Sequence, residues 1–439
     1  MAAMKTFRGG VHPHDYKELS KDQRIQPAPS PDVVYLSLRQ HIGAPSKPIV
    51  KPMQEVKKGE MVAEPGGFVS AALHSPVSGK VKSINKEMPH MMGGLTPCIE
   101  IESDGKGEWA EGCNVPTDWT QLSVEELKNK IRLSGIVGLG GATFPTHVKL
   151  SPPPDKKIDA FILNGVECEP YLTADHRLML EEPDRVIEGT RICMKVLGVS
   201  KGYIGIEANK PDAYMLMKEK TSKYDDIEVV MLKVKYPQGA EKQLIKAILD
   251  REVPSGGLPM DVGTVVQNVG TAAAIYDACA LNIPLIERIM TVSGDGVGKT
   301  ANFRITLGQM LRPILELCEY KEATRKVIFG GPMMGLSQAT IDIPLAKGNS
   351  GVLALISNAS AFEPRMCIRC GRCVDHCPMG LVPSMLSLLS EAGQLLEMEH
   401  ARALDCIECG VCTYICPSRR PIVQQIKLGK QTILASKKK

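Results

Sequence analysis

Apolar and polar positions change rhythm repeatedly along the chain. From Met1 to about Pro116, short alternating stretches (Val33 to Leu38, Val69 to Leu73, Lys80 to Ile84) lie among many glycines and prolines, which predicts short strands joined by tight turns. At Ser123-Val124-Glu125-Glu126 a capping box predicts a helix with Val124, Leu127 and Ile131 on one side and Gly135 at its end. From Ile158 short apolar runs alternate with longer amphipathic ones: Ala160 to Leu163, Asp184 to Leu197, Tyr203 to Ile206, Asp212 to Lys220, Glu228 to Val234 and Glu241 to Leu249. Such alternation implies a mostly parallel sheet covered by helices. Farther on, Ile289 to Ser293, Phe303 to Leu307 and Lys326 to Phe329 read as strands around a helix at Leu311 to Cys318, and Pro383 to Met398 has helical spacing.

Composition adds limits. A length of 439 residues suggests about three domains. The net charge of +4 is too small for this size to argue for nucleic-acid binding, and only the end, with Lys427, Lys430 and Lys437 to Lys439, is locally basic and reads as a solvated tail. Lys5 and Arg8 have no apolar stretch behind them, so no secretory signal is expected. No apolar run reaches the roughly 18 residues of a membrane span; the most apolar patch is Val352 to Ile356. A cytosolic or peripheral protein is expected, and any ion crossing a membrane must be carried by another polypeptide.

Chemistry is densest near the end. Cys367-x-x-Cys370-x-x-Cys373-x-x-x-Cys377-Pro378 is followed by Cys406-x-x-Cys409-x-x-Cys412-x-x-x-Cys416-Pro417, which uses eight of the fourteen cysteines. This spacing wraps three thiolates round one corner of an iron-sulfur cube, while the cysteine before proline ligates the cluster of the other run. Two 4Fe-4S clusters are expected, one on Cys367, Cys370, Cys373 and Cys416, the other on Cys406, Cys409, Cys412 and Cys377. Structural zinc favours two separated cysteine pairs, and disulfides need an oxidising compartment. Cys98, Cys113, Cys168, Cys193, Cys279 and Cys318 lack ligand spacing and read as reduced thiols; His12 and His14 have no cysteine or acid cluster beside them and no metal role is expected.

Two glycine-rich loops compete as anion sites. Gly138-Leu139-Gly140-Gly141-Ala142-Thr143-Phe144-Pro145-Thr146 could cradle a phosphate or flavin on its backbone amides, or be only a turn. It is not the dinucleotide fingerprint, whose third glycine would fall on Thr143. Ser293-Gly294-Asp295-Gly296-Val297-Gly298-Lys299-Thr300 imitates a P-loop, but serine stands where the first glycine belongs and a strand-like alternation follows, so a hairpin turn is expected.

Further segments resemble known families. Val56-Lys57-Lys58-Gly59-Glu60 and Ser75 to Val81 look like the two halves of a biotinyl/lipoyl-type barrel-sandwich, with Lys80 off the modified hairpin. Phe7 to Pro13, Gln40 to Pro45, Glu64 to Ser70, Asn164 to Tyr171 and Phe329 to Gly335, followed by the paired cysteine runs, resemble the RnfC family of the Rnf complex, a membrane-bound ion-translocating ferredoxin:NAD oxidoreductase. The middle also resembles the flavin-binding, NADH-oxidising subunit of respiratory complex I. That resemblance implies FMN against Gly138, Gly140, Gly141 and Ala142, with Thr146 closing the loop, Phe144 on the nicotinamide and Lys149 on the flavin phosphate. It likewise implies that Asn164, Glu167 and Glu169 contact flavin and NAD, that Gln267, Asn268 and Thr271 lie on the phosphate side, and that Glu241 is the acid near the nicotinamide. Phe144, Glu169 and Glu241 are the implied catalytic residues. Leu139, Val166 and Ala240 depart from the complex I pattern.

The resemblance implies a multidomain α/β chain with small β and all-α parts. Its expected pieces are a barrel-sandwich domain at 1–116, a Rossmann-like FMN/NAD-binding α/β domain at 117–284, a β-grasp (SLBB) domain at 285–340, a linker at 341–364, a helical two-cluster ferredoxin domain at 365–427 and a basic tail at 428–439. Chemistry agrees: NAD exchanges two electrons as hydride and a cluster exchanges one, so a flavin is needed between them. The expected protein exchanges hydride with NAD at FMN and passes single electrons through both clusters. It sits peripherally on the cytoplasmic face of the cell membrane with other Rnf subunits, indirectly served by ferredoxin. Two other readings stay open at this point: a soluble flavin/iron-sulfur cobalamin reductase of microcompartment type, and a cluster-only electron-transfer scaffold.

Overall fold

The computed structural model describes residues 4–357 and 363–437. Near the N-terminus, Val33–Ser37, Leu95–Ser103, Gly79–Pro89 and Glu55–Val56 form an antiparallel sheet that shares its core with a second one of Lys47–Pro48, Met61–Glu64 and Leu73–His74. Strand alternation explains the core: Val34, Leu36, Val81, Ile99 and Ile101 all point inward and are fully buried or nearly so. The stretch expected as a strand from Val69 is instead a turn, because the Ser70 hydroxyl donates to Ala44 O and accepts from Gly66 N, both at 2.8 Å. Lys80 sits inside a strand, opposite Glu55 and Glu102.

Residues 4–27 do not belong to these sheets. Phe7 and Val11 are buried elsewhere, Val11 exchanges two 2.8 Å backbone bonds with Tyr236, and Ile25–Pro27 pairs in parallel with Ala301–Thr306. Isolated apolar residues in a polar segment are anchors, and these tie the N-terminus across the neighbouring unit.

That unit has four parallel strands in the order Ile227–Leu232, Gly202–Glu207, Ala160–Asn164, Thr264–Asn268. Their near-continuous apolar runs suit strands covered on both faces, here by helices such as Pro183–Leu197, Glu241–Leu249 and Val269–Ala280. Helix Val124–Leu133 begins at Ser123 with the full capping box; Leu127 and Ile131 face inward, whereas Val124 is exposed. Helices Pro183–Leu197 and Val269–Ala280 touch so closely that a Cβ on Gly189 would lie 1.8 Å from Ala272 O. Gly189→Ala is therefore expected to destabilise the protein by about 1–3 kcal/mol, measured by thermal or denaturant unfolding. An unchanged midpoint would show that the two helices part without cost.

A six-stranded mixed sheet follows, in the order Ile25–Pro27, Ala301–Thr306, Glu287–Ser293, Gly351–Leu355, Lys326–Phe329, Leu336–Gln338. Its central pair, Glu287–Ser293 and Gly351–Leu355, is parallel and flanked by antiparallel neighbours. The expected linker at 341–364 thus supplies a central strand: Val352, Leu353 and Ala354 are fully buried, and a short apolar run finds its place as a strand covered on both sides. Residues 358–362 of that segment lie outside the described residues. The P-loop look-alike is the connection between antiparallel Glu287–Ser293 and Ala301–Thr306.

The C-terminal unit is helical: Arg372–Asp375, Pro383–Glu391, Leu395–His400, Val411–Tyr414 and Ile422–Ser436. Gly393, at φ +68°, breaks the single helix expected from Pro383 to Met398 into two. The expected solvated tail from 428 is also different, since it completes helix Ile422–Ser436. Ile422, Ile426, Gly429 and Ile433 form a buried stripe along it, and Lys430 bonds Cys406 O at 2.6 Å and Glu408 at 2.7 Å. The final two lysines lie outside the described residues.

Candidate functional site

Parallel pairing puts Asn164 and Asn268 side by side at the ends of their strands. Asn268 caps helix Val269–Ala280, accepting from Gly270 N at 2.8 Å, and donates to Asp175 at 2.6 Å. Leu139 N donates to the Thr271 hydroxyl at 2.9 Å and the Arg288 guanidinium donates to Leu139 O at 3.3 Å, so the glycine-rich loop is pinned to the first turn of that helix. The loop closes on itself through Gly138 N to Phe144 O at 2.9 Å and Thr143 N to Gly138 O at 3.1 Å. Its tip, Gly140, Gly141 and Ala142, is exposed, and the tip N–H groups have no protein partner among the described residues. Gly141 has φ +113°, a left-handed conformation that glycine adopts freely.

Beside the loop, Lys149 donates to Glu241 at 2.8 Å and to Val266 O at 3.3 Å, while Asn164 donates to Gly239 O at 2.8 Å. Phe144 is half-buried. Buried Thr146 Oγ1 and Gln267 Nε2 have no partner among the described residues, as expected of polar groups at the edge of a ligand site. Free amides, a lysine and orphaned polar atoms fit a phosphate-bearing flavin.

Two predicted residues turn elsewhere. The Glu167 carboxylate accepts from Asp175 N at 2.8 Å and His176 N at 3.3 Å, capping helix Ala174–Glu181. Glu169 accepts from Met333 N at 3.1 Å and Met334 N at 2.9 Å, and burial pushes its carboxyl up to about 7 despite those donors. Three contributors escaped the sequence reading. Asp175, pushed up to about 7 by burial and then by neighbouring Glu167, supports Asn268. Lys17, from the N-terminal segment, donates to Leu172 O at 2.5 Å and Glu169 O at 3.1 Å. Tyr236 is 2% exposed and donates to Cys409 O at 2.8 Å. Only Tyr236 had a local signal, since the complex I resemblance matches Tyr236 to Glu241 as a tyrosine-to-acid segment. His14, contrary to expectation, does have acidic neighbours: its ring, Asp15 and Glu18 offer ligand atoms within 4.8 Å of one another, though the Asp15 carboxylate already bonds Asn209.

The cysteine runs share one local design. Cys367 Sγ accepts from Arg369 N and Cys406 Sγ from Glu408 N, each at 3.4 Å, and Gly371 and Gly410 start the short helices that follow at φ +75° and +79°. Cys377 joins Cys406, Cys409 and Cys412 in lining one cavity, closed by apolar side chains that include Leu386 and Ile426. Burial first, then the neighbouring thiols, pushes Cys406 and Cys412 up and Cys409 up to about 12. Four thiols in an apolar pocket ionise only with a cation to bind, which fits an iron-sulfur cube. In the first run Cys373 is buried, Cys367 half-buried and Cys370 exposed; Arg365 N donates to Ser418 O at 2.9 Å, drawing the end holding Cys416 against it. This cavity is seated on the flavin side through Tyr236 on Cys409, Gln243 Nε2 to Pro378 O at 3.2 Å at the end of the first run, and Ser255 Oγ to Asp405 at 2.6 Å just before the second.

Fold and site define the class: a redox protein that joins a flavin-binding α/β unit to a two-cluster iron-sulfur unit. Residues 131–277 match the Nuo51 FMN-binding domain, 5–106 the RnfC barrel sandwich hybrid domain and 360–417 the 4Fe-4S dicluster domain. The chain belongs to the RnfC family. It is 52% identical over 430 residues to the RnfC-type subunit of the proton-translocating ferredoxin:NAD+ oxidoreductase complex of Clostridium ljungdahlii, covering 97% of this chain and 94% of that one. Its counterpart in the Na+-translocating ferredoxin:NAD+ oxidoreductase complex of Acetobacterium woodii is 44% identical, covering 99% and 98%. The fold is also that of an NAD+-reducing NiFe-hydrogenase in the air-oxidized state, at TM-score 0.50 and 17% identity, covering 71% of this chain and 61% of that one. Among the described residues no helix is long and apolar enough to cross a membrane.

Proposed function

We propose that the chain is the NAD-side redox subunit of an ion-translocating ferredoxin:NAD oxidoreductase complex, bound peripherally at the cytoplasmic face of the membrane by other Rnf subunits and served indirectly by ferredoxin. The loop amides at Gly138, Gly140, Gly141 and Ala142 hold FMN, Thr146, Lys149, Gln267, Asn268 and Thr271 surround its phosphate side, and Asn164 and Glu241 face the ring end. Phe144 supports the nicotinamide; Glu167 and Glu169 act by shaping the acidic segment. FMN supplies the conversion between paired and single electrons. One cluster is held by Cys367, Cys370, Cys373 and Cys416, the other by Cys406, Cys409, Cys412 and Cys377.

The parallel strand order around Asn164 supports a Rossmann-like reading of the flavin domain, and a parallel central pair between antiparallel neighbours supports a β-grasp reading of the next. The observation that carries the proposal is the Tyr236 hydroxyl on Cys409 O, which joins the flavin unit directly to a cluster loop. The anaerobically purified chain is expected to hold about eight irons and one FMN and to pass electrons from NADH to a one-electron dye. A fully metallated chain with neither flavin nor NADH reactivity would overturn it.

A further inference from the structure

The two cysteine runs meet very different surroundings. The cavity of Cys377, Cys406, Cys409 and Cys412 is covered by the flavin side: Tyr236 reaches Cys409, Gln243 reaches Pro378 beside Cys377, and Gly410 lies so near Met333 that an added Cβ would stand 2.7 Å from its carbonyl oxygen. Gly10 N, in the N-terminal segment, donates to His376 O at 2.8 Å and closes another approach. The start of the first run is open, with Cys370 exposed.

Around that opening the composition is unusual. Met366 is 86% and Ile368 67% exposed, large apolar side chains in full contact with water. Arg365, Arg369 and Arg372 alternate with them, none with a carboxylate partner among the described residues. Residues 363–372 carry one acid, Glu363, and Asp375 follows on the next turn, so the patch keeps an excess of positive charge. Methionine and arginine together are enriched where proteins meet, and unpaired arginines steer an oppositely charged partner.

We propose that the Arg365–Arg372 surface is the docking site for an acidic, one-electron carrier protein, one that presents carboxylates around its own redox centre. Charge complementarity selects the sign of the partner. The exposed apolar pair supplies the desolvated centre of the contact, and the covered set of Cys377, Cys406, Cys409 and Cys412 leaves the start of the first run as the accessible end of the electron path. An anionic lipid surface would meet the arginines equally well but would offer the redox centre nothing to exchange with. The inference rests on the proposed function only in placing a cluster behind Cys367 and Cys370.

The test uses the anaerobic holo chain with an oxidised, acidic two-cluster bacterial ferredoxin as probe, standing in for the acidic carrier that relays electrons between ferredoxin and this chain. Amide hydrogen exchange in residues 363–372 is expected to slow on binding, and affinity is expected to fall as salt rises. The Arg365→Gln/Arg372→Gln pair should weaken binding about tenfold, whereas Lys80→Gln/Lys82→Gln on the barrel-sandwich should leave it unchanged. Iron and FMN are counted on every sample; if the arginine pair loses iron, the exchange footprint on the unaltered chain decides. A chain loaded with both cofactors but showing no footprint at 363–372, or salt-independent binding, overturns the docking surface and leaves the proposed function standing. Protection by phosphatidylglycerol vesicles and not by the ferredoxin also overturns it. A chain without its irons or flavin overturns the function instead.

Discussion

Cys377→Ala is expected to erase the same iron-sulfur signal as Cys406→Ala, although the two residues belong to different runs. Cys377 lines the cavity of Cys406, Cys409 and Cys412, and Cys416→Ala should in turn match Cys367→Ala. Each replacement removes one ligand of four, so iron should fall from about eight to about four per chain. Low-temperature EPR of the dithionite-reduced chain distinguishes the two losses. Should Cys377→Ala and Cys367→Ala silence the same signal, each run would hold its own cluster and the crossed assignment would be wrong.

Gly140→Val should empty the flavin site and leave the irons in place. A Cβ at Gly140 would already stand 3.3 Å from the Asn268 Cβ. Asn268 cannot retreat, because it is held by Gly270 N at one end and Asp175 at the other. The branched side chain must therefore push the loop outward, taking the free amides of residues 140–142 out of line. Hydrogen bonds to a charged group are worth about 1.5–3 kcal/mol each, so losing even one lowers FMN affinity about tenfold or more. Flavin fluorescence after acid release, set beside an iron assay, reads both quantities. Full flavin occupancy would remove this loop from the FMN site.

What could be read in the sequence was what local geometry dictates. Cysteine spacing is set by the reach of a few residues round a cluster corner, and the strand Ala160–Asn164 announces itself because it is apolar almost throughout. Other features depend on partners far away in the chain. Val352 to Ile356 looks the same as linker or as strand until Glu287–Ser293 lies beside it, and the buried stripe of Ile422–Ser436 is masked by its lysines. Glu167 and Glu169 stand out through the resemblance to the complex I acidic segment, but side-chain direction depends on where helix Ala174–Glu181 and the Met333 turn arrive. Asp175 and Lys17 had no local mark, since their contacts exist only once separate segments have met.

The N-terminal segment has a consequence for biosynthesis. Gly10 needs the carbonyl of His376, and Ile25–Pro27 needs Ala301–Thr306, so the first residues to leave the ribosome wait for some of the last. Of these seats only that of Gly10 lies on the cysteine-bearing end, which a bound metal would organise, because metal binding is folding free energy. A shortage of iron should therefore loosen the Gly10 contact first, while Val11 on Tyr236 and Ile25–Pro27 on Ala301–Thr306 keep the rest of the segment in place.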